Sequence, residues 1–166
     1  MMYLLITLAV FLLDSNIKNF IEQSIRIGEK RDILKGKITI RREYNSGFCL
    51  NIMDDSIDLV KKLSAIVFGI VTLTYILILP KKRNRLRKLG LSLCIGGAAS
   101  NLRDRFKKGK VVDYFSFNIK SIEHIVFNLA DIFIFIGSFI IFMSSLFHHN
   151  SITKKADSLQ KLGEDK

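Results

Sequence analysis

The chain has 166 residues, of which 49% are hydrophobic, and its mean hydropathy is +0.27. This length suits one domain, and the hydropathy is high for a water-soluble protein. The formal net charge of +11 would suit a nucleic-acid-binding protein, but six of the basic residues fall in one eight-residue stretch between two apolar blocks. We therefore expect no nucleic-acid partner. Two cysteines are too few for a disulfide framework.

The apolar residues are concentrated in four blocks, as in a mainly α-helical membrane protein. The block at 125–147 alone reaches the roughly 20 residues that span a bilayer. The second block reaches this length if Lys61 and Lys62 snorkel toward the headgroups. The first and third run into polar residues at helical spacing, which is typical of helices whose outer ends face a polar cavity. We predict four transmembrane helices, at residues 2–23, 60–79, 89–105 and 125–147.

The stretch "KKRNRLRK", Lys81–Lys88, lies between the second and third predicted helices. A short basic loop is the signature of a cytoplasmic turn in membrane proteins. We therefore predict a cytoplasmic loop at 80–88, both termini in the cytoplasm, and a polar cytoplasmic tail at 148–166.

This topology leaves two segments on the outer face, at residues 28–58 and 106–124. "KITIRREYN", Lys37–Asn45, alternates apolar and polar residues as a half-exposed strand does. A turn at 45–48 and a returning strand after it would complete a small β element. The second outer segment mixes apolar residues with lysines, and we expect it to lie in the membrane interface.

Polar residues interrupt the outer ends of the predicted helices in register. Asp14, Lys18 and Glu22 are spaced by four residues and share one face of the first helix. Asp14 and Lys18 can therefore form an ion pair. Asn101 and Arg105 have the same spacing on the third helix. If these faces converge, they enclose a polar cavity near the outer leaflet.

Two aspartates complete this polar set. Asp131 is the only formally charged residue between Ile125 and Phe147, and Asn128 lies one turn before it. Asp113 lies in the second outer segment. Two carboxylates that share a site titrate apart, one ionised and one protonated, as aspartyl proteases require. Carboxylates of an ion-translocating protein would fit the same composition. The sequence has no zinc-type spacing.

Four motifs resemble those of the signal peptidase II family. "DSNIK" (Asp14–Lys18) is similar to D-Q-x-T-K, and "NSGFCLN" (Asn45–Asn51) weakly matches the N-x-G-x-A-F region. "GGAASNLRDRFKKGKVVDYF" (Gly96–Phe115) resembles G-G-A-x-G-N-x-x-D-R-x-x-x-G-x-V-V-D-F. "FNLAD" (Phe127–Asp131) matches F-N-x-A-D fully.

The resemblance implies a bacterial inner-membrane aspartyl endopeptidase with four helices and its active site near the outer leaflet. It would cleave prolipoproteins just before a diacylglyceryl-modified cysteine, would be inhibited by globomycin, and would use no metal or organic cofactor. Membrane lipids are the other expected partners, and we expect a monomer. By motif position, Asp113 and Asp131 would form the catalytic pair. The supporting residues would be Asp14, Lys18, Asn45, Asn101, Arg105 and Asn128.

The sequence departs from the family pattern at several positions. Ser15 and Ile17 replace the usual Gln and Thr, Ser100 replaces Gly, and Arg103 occupies a usually apolar place. Residues 48–51 break the outer-loop pattern. None of these changes removes a carboxylate. Two alternatives remain: a repurposed or inactive paralogue that binds lipidated peptides, and a small ion-coupled transporter, although the chain lacks the inverted repeat of such folds.

Overall fold

The computed structural model describes residues 1–47 and 56–164, with side chains described as far as residue 147. This part of the chain is mainly helical and includes one small antiparallel sheet. The predicted returning strand after residue 47 lies outside the described residues. The elements are α1 (Met2–Ser24), β1 (Lys30–Ile33), β2 (Ile38–Asn45), α2 (Ile57–Ile78), α3 (Arg85–Lys108), β3 (Val111–Phe117) and α4 (Leu129–Glu164).

Within the residues that the structure describes, three helices are long and apolar enough to cross a membrane: α1, α2 and the Leu129–Phe147 part of α4. The remaining helix, α3, carries basic residues at both ends and has many small residues in its centre. It packs against each of the other three helices and buries eleven of its residues. The predicted set of four helices is thus present, and α3 is the most enclosed of them, while its assignment as a fourth transmembrane span stays a prediction.

Close backbone contacts hold α3 against its neighbours. A Cβ atom on Gly137 of α4 would lie 2.5 Å from the carbonyl oxygen of Gly90 on α3, which leaves no room for one. A Cβ on Gly96 would lie 2.7 Å from the Thr7 oxygen of α1, and one on Gly97 would lie 2.6 Å from the Ala130 oxygen of α4. Small residues allow this approach, which is a common packing device in lipid.

The sheet has the order β1–β2–β3, and both pairs of strands are antiparallel. Strand β2 occupies the segment in which alternation predicted a strand. The second outer segment was predicted to lie in the membrane interface, but its residues 111–117 form strand β3. The side chains of Val111, Val112 and Tyr114 are buried in the protein. The β-branched and aromatic residues of this segment suit a strand, and pairing with β2 satisfies their backbone groups.

Helix α4 begins at Leu129, four residues later than the predicted start at 125. The reason is that Phe127 pairs with β3: its N–H donates to the Phe115 oxygen at 2.7 Å, and its own oxygen accepts from Tyr114 and Phe115. Conversely, α3 begins at Arg85, earlier than the predicted start at residue 89. Its first turn therefore includes basic residues that were predicted to belong to the cytoplasmic loop at 80–88. The connection from β3 therefore delivers Asn128 to the position just before the first turn of α4.

Candidate active site

Asp113 lies on β3 and is only 4% exposed. Two amide groups donate hydrogen bonds to its carboxylate. Asn128 Nδ2 lies 2.7 Å from Oδ1, and Asn45 Nδ2, at the end of β2, lies 3.2 Å from Oδ2. The antiparallel pairing of β2 with β3 brings Asn45 to this position, opposite Val111.

Asp131 lies in the first turn of α4 and forms a reciprocal cap with Asn128. The Asp131 N–H donates to Asn128 Oδ1 at 3.0 Å, and the Asn128 N–H donates to Asp131 Oδ2 at 3.1 Å. This is the geometry of a capping box, which satisfies donors that the start of a helix leaves free. Because Asn128 also donates to Asp113, one residue holds both aspartates.

The second oxygen of Asp131 is held from α3. Asn101 Nδ2 donates to Asp131 Oδ1 at 2.9 Å. The orientation of this amide is fixed from its other side, because Lys18 Nζ donates to Asn101 Oδ1 at 2.6 Å. An ammonium group can only donate, so it requires the oxygen of Asn101 and leaves the NH2 group for Asp131.

Lys18 is fully buried and lies between two carboxylates. Its Nζ is 2.8 Å from Asp14 Oδ2 and 3.5 Å from Asp104 Oδ2. The predicted pairing of Asp14 with Lys18 is therefore present. Buried charges of this kind are tolerated only when they are paired and hydrogen-bonded.

Asp14 connects four elements of the fold. Its Oδ1 accepts from the Tyr114 hydroxyl at 3.2 Å and from the Ala130 N–H at 3.1 Å, and its Oδ2 accepts from Ser100 Oγ at 2.6 Å. Ser15 Oγ lies 3.2 Å from Ser100 Oγ, and since Ser100 gives its proton to Asp14, Ser15 is the donor in that pair. Two of the departures from the family motifs thus contact each other beside Asp14.

Sequence reasoning missed two buried groups of this network. Asp104 is fully buried; its Oδ2 accepts from the Val112 N–H at 3.3 Å, and its Oδ1 lies 3.4 Å from Lys108 Nζ. Tyr114 donates to Asp14 and accepts from the Leu129 N–H at 2.9 Å. Burial raises the pKa of Tyr114, and the charge of Asp14 adds to that rise, so its hydroxyl remains a donor. The spacing of Asp104 from Asn101, one helical turn, was an available signal.

Two predicted residues are more peripheral. Arg105 lies on α3 beside the aspartates, and its Nη2 donates to the Gly47 oxygen at 2.9 Å. Glu22, which shares a face with Asp14 and Lys18, instead forms an ion pair with Lys108 and accepts from the Tyr44 hydroxyl. The Glu22 pair connects the end of α1 to the end of α3 at the margin of the buried network, because Lys108 Nζ also lies 3.4 Å from Asp104 Oδ1.

Burial is the main cause that raises the pKa of Asp113 to about 7, and the negative charge of Asp131 raises it further. The hydrogen bonds from Asn128 and Asn45 act in the opposite direction but are outweighed. A carboxyl group with this pKa can carry a proton near neutral pH. The negative charge of Asp131 therefore favours the protonated form of Asp113, as expected of carboxylates that share a site.

Both aspartates line a small cavity of about 50 Å³ together with Asn45, Asn101 and Arg105. On one side, Asn45 and Asp113 also line an outer groove of about 260 Å³. On the other side, Asn101 and Arg105 also line a mainly apolar groove of about 390 Å³ between α2, α3 and α4. The aspartates thus lie between a polar groove and an apolar one. Within residues 1–47 and 56–147, no cluster of His, Cys, Asp and Glu could hold a metal ion.

An apolar helical bundle that buries two amide-held aspartates has the arrangement that a membrane-embedded aspartic peptidase requires. The profile of the family described as Signal peptidase (SPase) II matches residues 6–147. The chain belongs to this family. Its members are aspartic-type peptidases, and the family and the apolar helices place the chain in a bacterial cytoplasmic membrane.

Similar proteins cover almost the same length. The chain is 30% identical to a lipoprotein signal peptidase of Lactobacillus johnsonii over 88% of this chain and 92% of the relative. It is 32% identical to one of Listeria welshimeri, over 82% and 88% of the two chains. A bacterial membrane enzyme solved by the in meso method at 1.9 Å has a TM-score of 0.74 at 25% identity, over 87% and 92% of the chains. A second such enzyme, solved at 2.3 Å, shares the fold with a TM-score of 0.79 at 24% identity, over 90% of each chain.

Proposed function

We propose that this protein removes signal peptides from diacylglyceryl-modified prolipoproteins, with Asp113 and Asp131 as the catalytic pair. The observation that carries the proposal is the single residue Asn128, which donates to Asp113 and caps the turn that holds Asp131. Two carboxylates from a strand and a helix are thereby fixed beside one cavity. Membership of the signal peptidase II family supplies the reaction class.

In the proposed reaction the ionised carboxylate removes a proton from water as the water oxygen attacks the peptide carbonyl carbon. The protonated carboxyl group donates to the oxygen that gains negative charge. When the C–N bond breaks, the group that took the proton from water gives it to the leaving amine. A hydroxyl of the tetrahedral intermediate returns its proton to the other carboxylate as the C=O bond of the product acid forms, so the pair regains its starting protonation. The pair and one water molecule are sufficient for this sequence.

We assign the proton to Asp113 and the base to Asp131. The pKa of Asp113 is raised to about 7, so this group holds a proton near neutral pH. Asp131 accepts from a backbone N–H and from the Asn101 amide in the first turn of a helix. Donors and a helix N-terminus both favour a negative charge there. In this assignment Lys18 is a positioning residue, because it acts on Asp131 through Asn101.

The two grooves would bind different parts of the substrate. The apolar groove between α2, α3 and α4 would take the apolar signal segment or acyl chains, and the outer groove beside Asn45 and Asp113 would take the chain on the other side of the cleavage site. Arg105 and Asn101 lie where the apolar groove meets the aspartates, and they would contact the substrate backbone there.

The proposed orientation in the membrane follows from the charge of the loops. Lys81–Lys88 lies at the start of α3, and the aspartates lie at its opposite end. A short basic loop remains in the cytoplasm. This orientation puts the aspartates near the outer leaflet, both termini in the cytoplasm and α3 across the membrane as a fourth span. The polar network of one chain encloses the pair, and we propose that the monomer is active.

The test is cleavage of a diacylglyceryl-modified prolipoprotein by the purified protein, with and without globomycin. The matched control is the same prolipoprotein without the lipid. We expect cleavage of the modified substrate only, and its loss with globomycin. Binding of the modified substrate without any cleavage would identify a repurposed relative instead. Ion flux in proteoliposomes without peptidase activity would favour a transporter.

A further inference from the structure

The hairpin between β1 and β2 ends in a turn that exposes aliphatic and basic side chains together. Leu34 is 65% exposed and Ile33 is 42% exposed, and Lys35 beside them is also exposed. The φ angles of Leu34 and Lys35 are 51° and 58°, a left-handed conformation that glycine and asparagine adopt with less strain. The sequence therefore keeps two large side chains at positions where the backbone favours small ones.

A second segment, distant in sequence, lies against this turn. The N–H of Asn118 donates to the Lys37 oxygen at 2.9 Å, and its Nδ2 donates to the Gly36 oxygen at 2.7 Å. The next two residues are Ile119, which is 56% exposed, and the exposed Lys120. We define residues 30–37 and 118–120 as the outer corner. Its hydrogen bonds fix the two segments side by side.

The outer corner is basic. It contains five basic residues and one acidic residue, Asp32, which already accepts a hydrogen bond from Thr39 Oγ1 at 2.6 Å. Arg31 is paired with Glu29. In the part of the chain that the structure describes, the four lysines of the corner form no ion pair; they are Lys30, Lys35, Lys37 and Lys120.

We propose that the outer corner docks on the anionic phospholipid headgroups of the membrane surface. Exposed aliphatic side chains flanked by lysines are typical of segments at the boundary of headgroups and acyl chains. Lysine stems cover apolar surface while their ammonium groups reach phosphate. The sheet is joined directly to the helical bundle, because β3 lies between α3 and α4 in the chain. Leu34 and Ile119 enter the boundary, and the lysines contact the phosphates.

This contact has a consequence for the aspartates. Strand β2 runs from the outer corner to Asn45, and the antiparallel strand β3 runs from the Asp113 end back to the corner. Docking of the corner therefore fixes the height of both strands above the membrane. The inference concerns lipid binding alone and does not depend on the proposed cleavage.

The chain contains no tryptophan, so a single introduced tryptophan reports its own environment. Ile119→Trp is reconstituted as the full chain in vesicles of brominated phosphatidylglycerol or brominated phosphatidylcholine. We expect a blue-shifted emission and quenching by bromine, with greater quenching in phosphatidylglycerol. Leu73→Trp, on an exposed position of α2, is the control and is quenched in both lipids. If bromine quenches the Leu73→Trp protein but leaves the emission of the Ile119→Trp protein unchanged, the proposal is overturned.

A second variant separates docking from folding. Leu34→Asn with Lys35→Gly gives the turn residues that suit its left-handed backbone, so the hairpin is retained. In the Ile119→Trp background we expect weaker quenching and a melting temperature that is unchanged or higher. Undiminished quenching in this variant would contradict a role for the turn. Shielding of the tryptophan only when an acidic peptide is added would overturn the lipid assignment in favour of a protein partner.

Discussion

The two ends of the bundle hold helices together by partly different means. At the end that carries the aspartates, α1, α3 and α4 are connected by charged and polar side chains, with Lys18 between Asp14 and Asp104 at the centre, in addition to the close approach of Gly97 to the Ala130 oxygen. At the other end, α3 and α4 touch through Gly90 and Gly137, with backbone against backbone. The first arrangement places specific atoms, and the second fixes the distance between helix axes.

This difference predicts that the two ends respond differently to substitution. A polar network in a low-dielectric environment is stable only when every member is satisfied, so it responds strongly to the loss of one group. Close packing of small residues has no such chemistry and tolerates no added volume. We therefore expect substitutions at the aspartate end to change activity first, and substitutions at the glycine end to change stability first.

The largest expected effect is on activity alone. Asp113→Asn or Asp131→Asn should lower cleavage of the lipid-modified substrate by about 10²–10⁴-fold or more, because each removes one partner of acid–base catalysis. The amide is nearly isosteric, so membrane insertion and thermal unfolding should change little. Asp32→Asn, on the exposed strand β1, is the control. Normal cleavage by either variant would refute the assignment of the pair.

Lys18→Met should affect activity and stability together. It leaves Asp14 and Asp104 buried without their shared cation, a change that costs about 3–5 kcal/mol in the free energy of unfolding. It also frees the Asn101 amide to turn away from Asp131. Thermal unfolding and the cleavage rate are measured for Lys18→Met and for a control variant, Lys62→Met, which changes an exposed lysine of α2.

The role of Lys18 in orientation predicts a further result. Adding Asp14→Asn to Lys18→Met removes one uncompensated charge, so part of the lost stability should return. Cleavage should remain low, because nothing restores the direction of the Asn101 amide. Recovery of activity in step with stability would instead indicate a structural role only.

Gly137→Ala should lower stability with little effect on chemistry. The added Cβ would lie 2.5 Å from the Gly90 oxygen and 2.7 Å from Cys94 Sγ, so α3 and α4 must separate. We expect a loss of about 1–3 kcal/mol in the free energy of unfolding. Gly69→Ala is the matched control, since no atom lies within 4 Å of the Cβ it would add. Equal melting temperatures for the two variants would argue against this difference between the two ends.

The last expected effect is a pH dependence. The pKa of Asp113 is raised from 3.8 to about 7, so the folded protein binds this proton more tightly than the unfolded chain does. Its contribution to stability is complete below pH 4 and is lost as the pH rises through about 7. Cleavage should decline over the upper part of the same range, because it requires the protonated group.

Asp113→Asn isolates this effect. The variant should lose the part of the pH dependence of thermal unfolding that lies between pH 4 and 7, while Asp32→Asn retains it. The wild-type rate of cleavage should fall about tenfold for each pH unit above the pKa. A rate that rises through pH 7 and 8 would show that Asp113 acts without its proton.

Much of the polar end could be predicted from spacing within helices. Asp14 and Lys18 are one turn apart, as are Asn128 and Asp131, and both pairs interact in the structure. The approach of Asn101 to Asp131 could only be expected, because it depends on how α3 and α4 pack. The resemblance to the family motifs, and not helical periodicity, indicated that Asn101 and Asp131 belong to one site.

The parts that sequence reasoning missed depend on the sheet. The apolar residues of 111–117 fit an interfacial segment as well as a strand, and only pairing with β2 decides between these structures. Once β3 is a strand, the Val112 N–H meets Asp104 and the Tyr114 hydroxyl meets Asp14. These contacts join residues 8 and 100 positions apart, so no local pattern could predict the second.

Asn128 is part of both the N-terminal cap of α4 and the proposed reaction centre. Its side chain and backbone bond to Asp131 in the cap of α4, and its amide bonds to Asp113. If α4 frays by one turn, the base loses two of its bonds and the acid loses its shortest one. Selection for a stable fold and selection for a high catalytic rate would then act on the same few atoms. A substitution at Asn128 that weakened one of these properties would weaken the other as well.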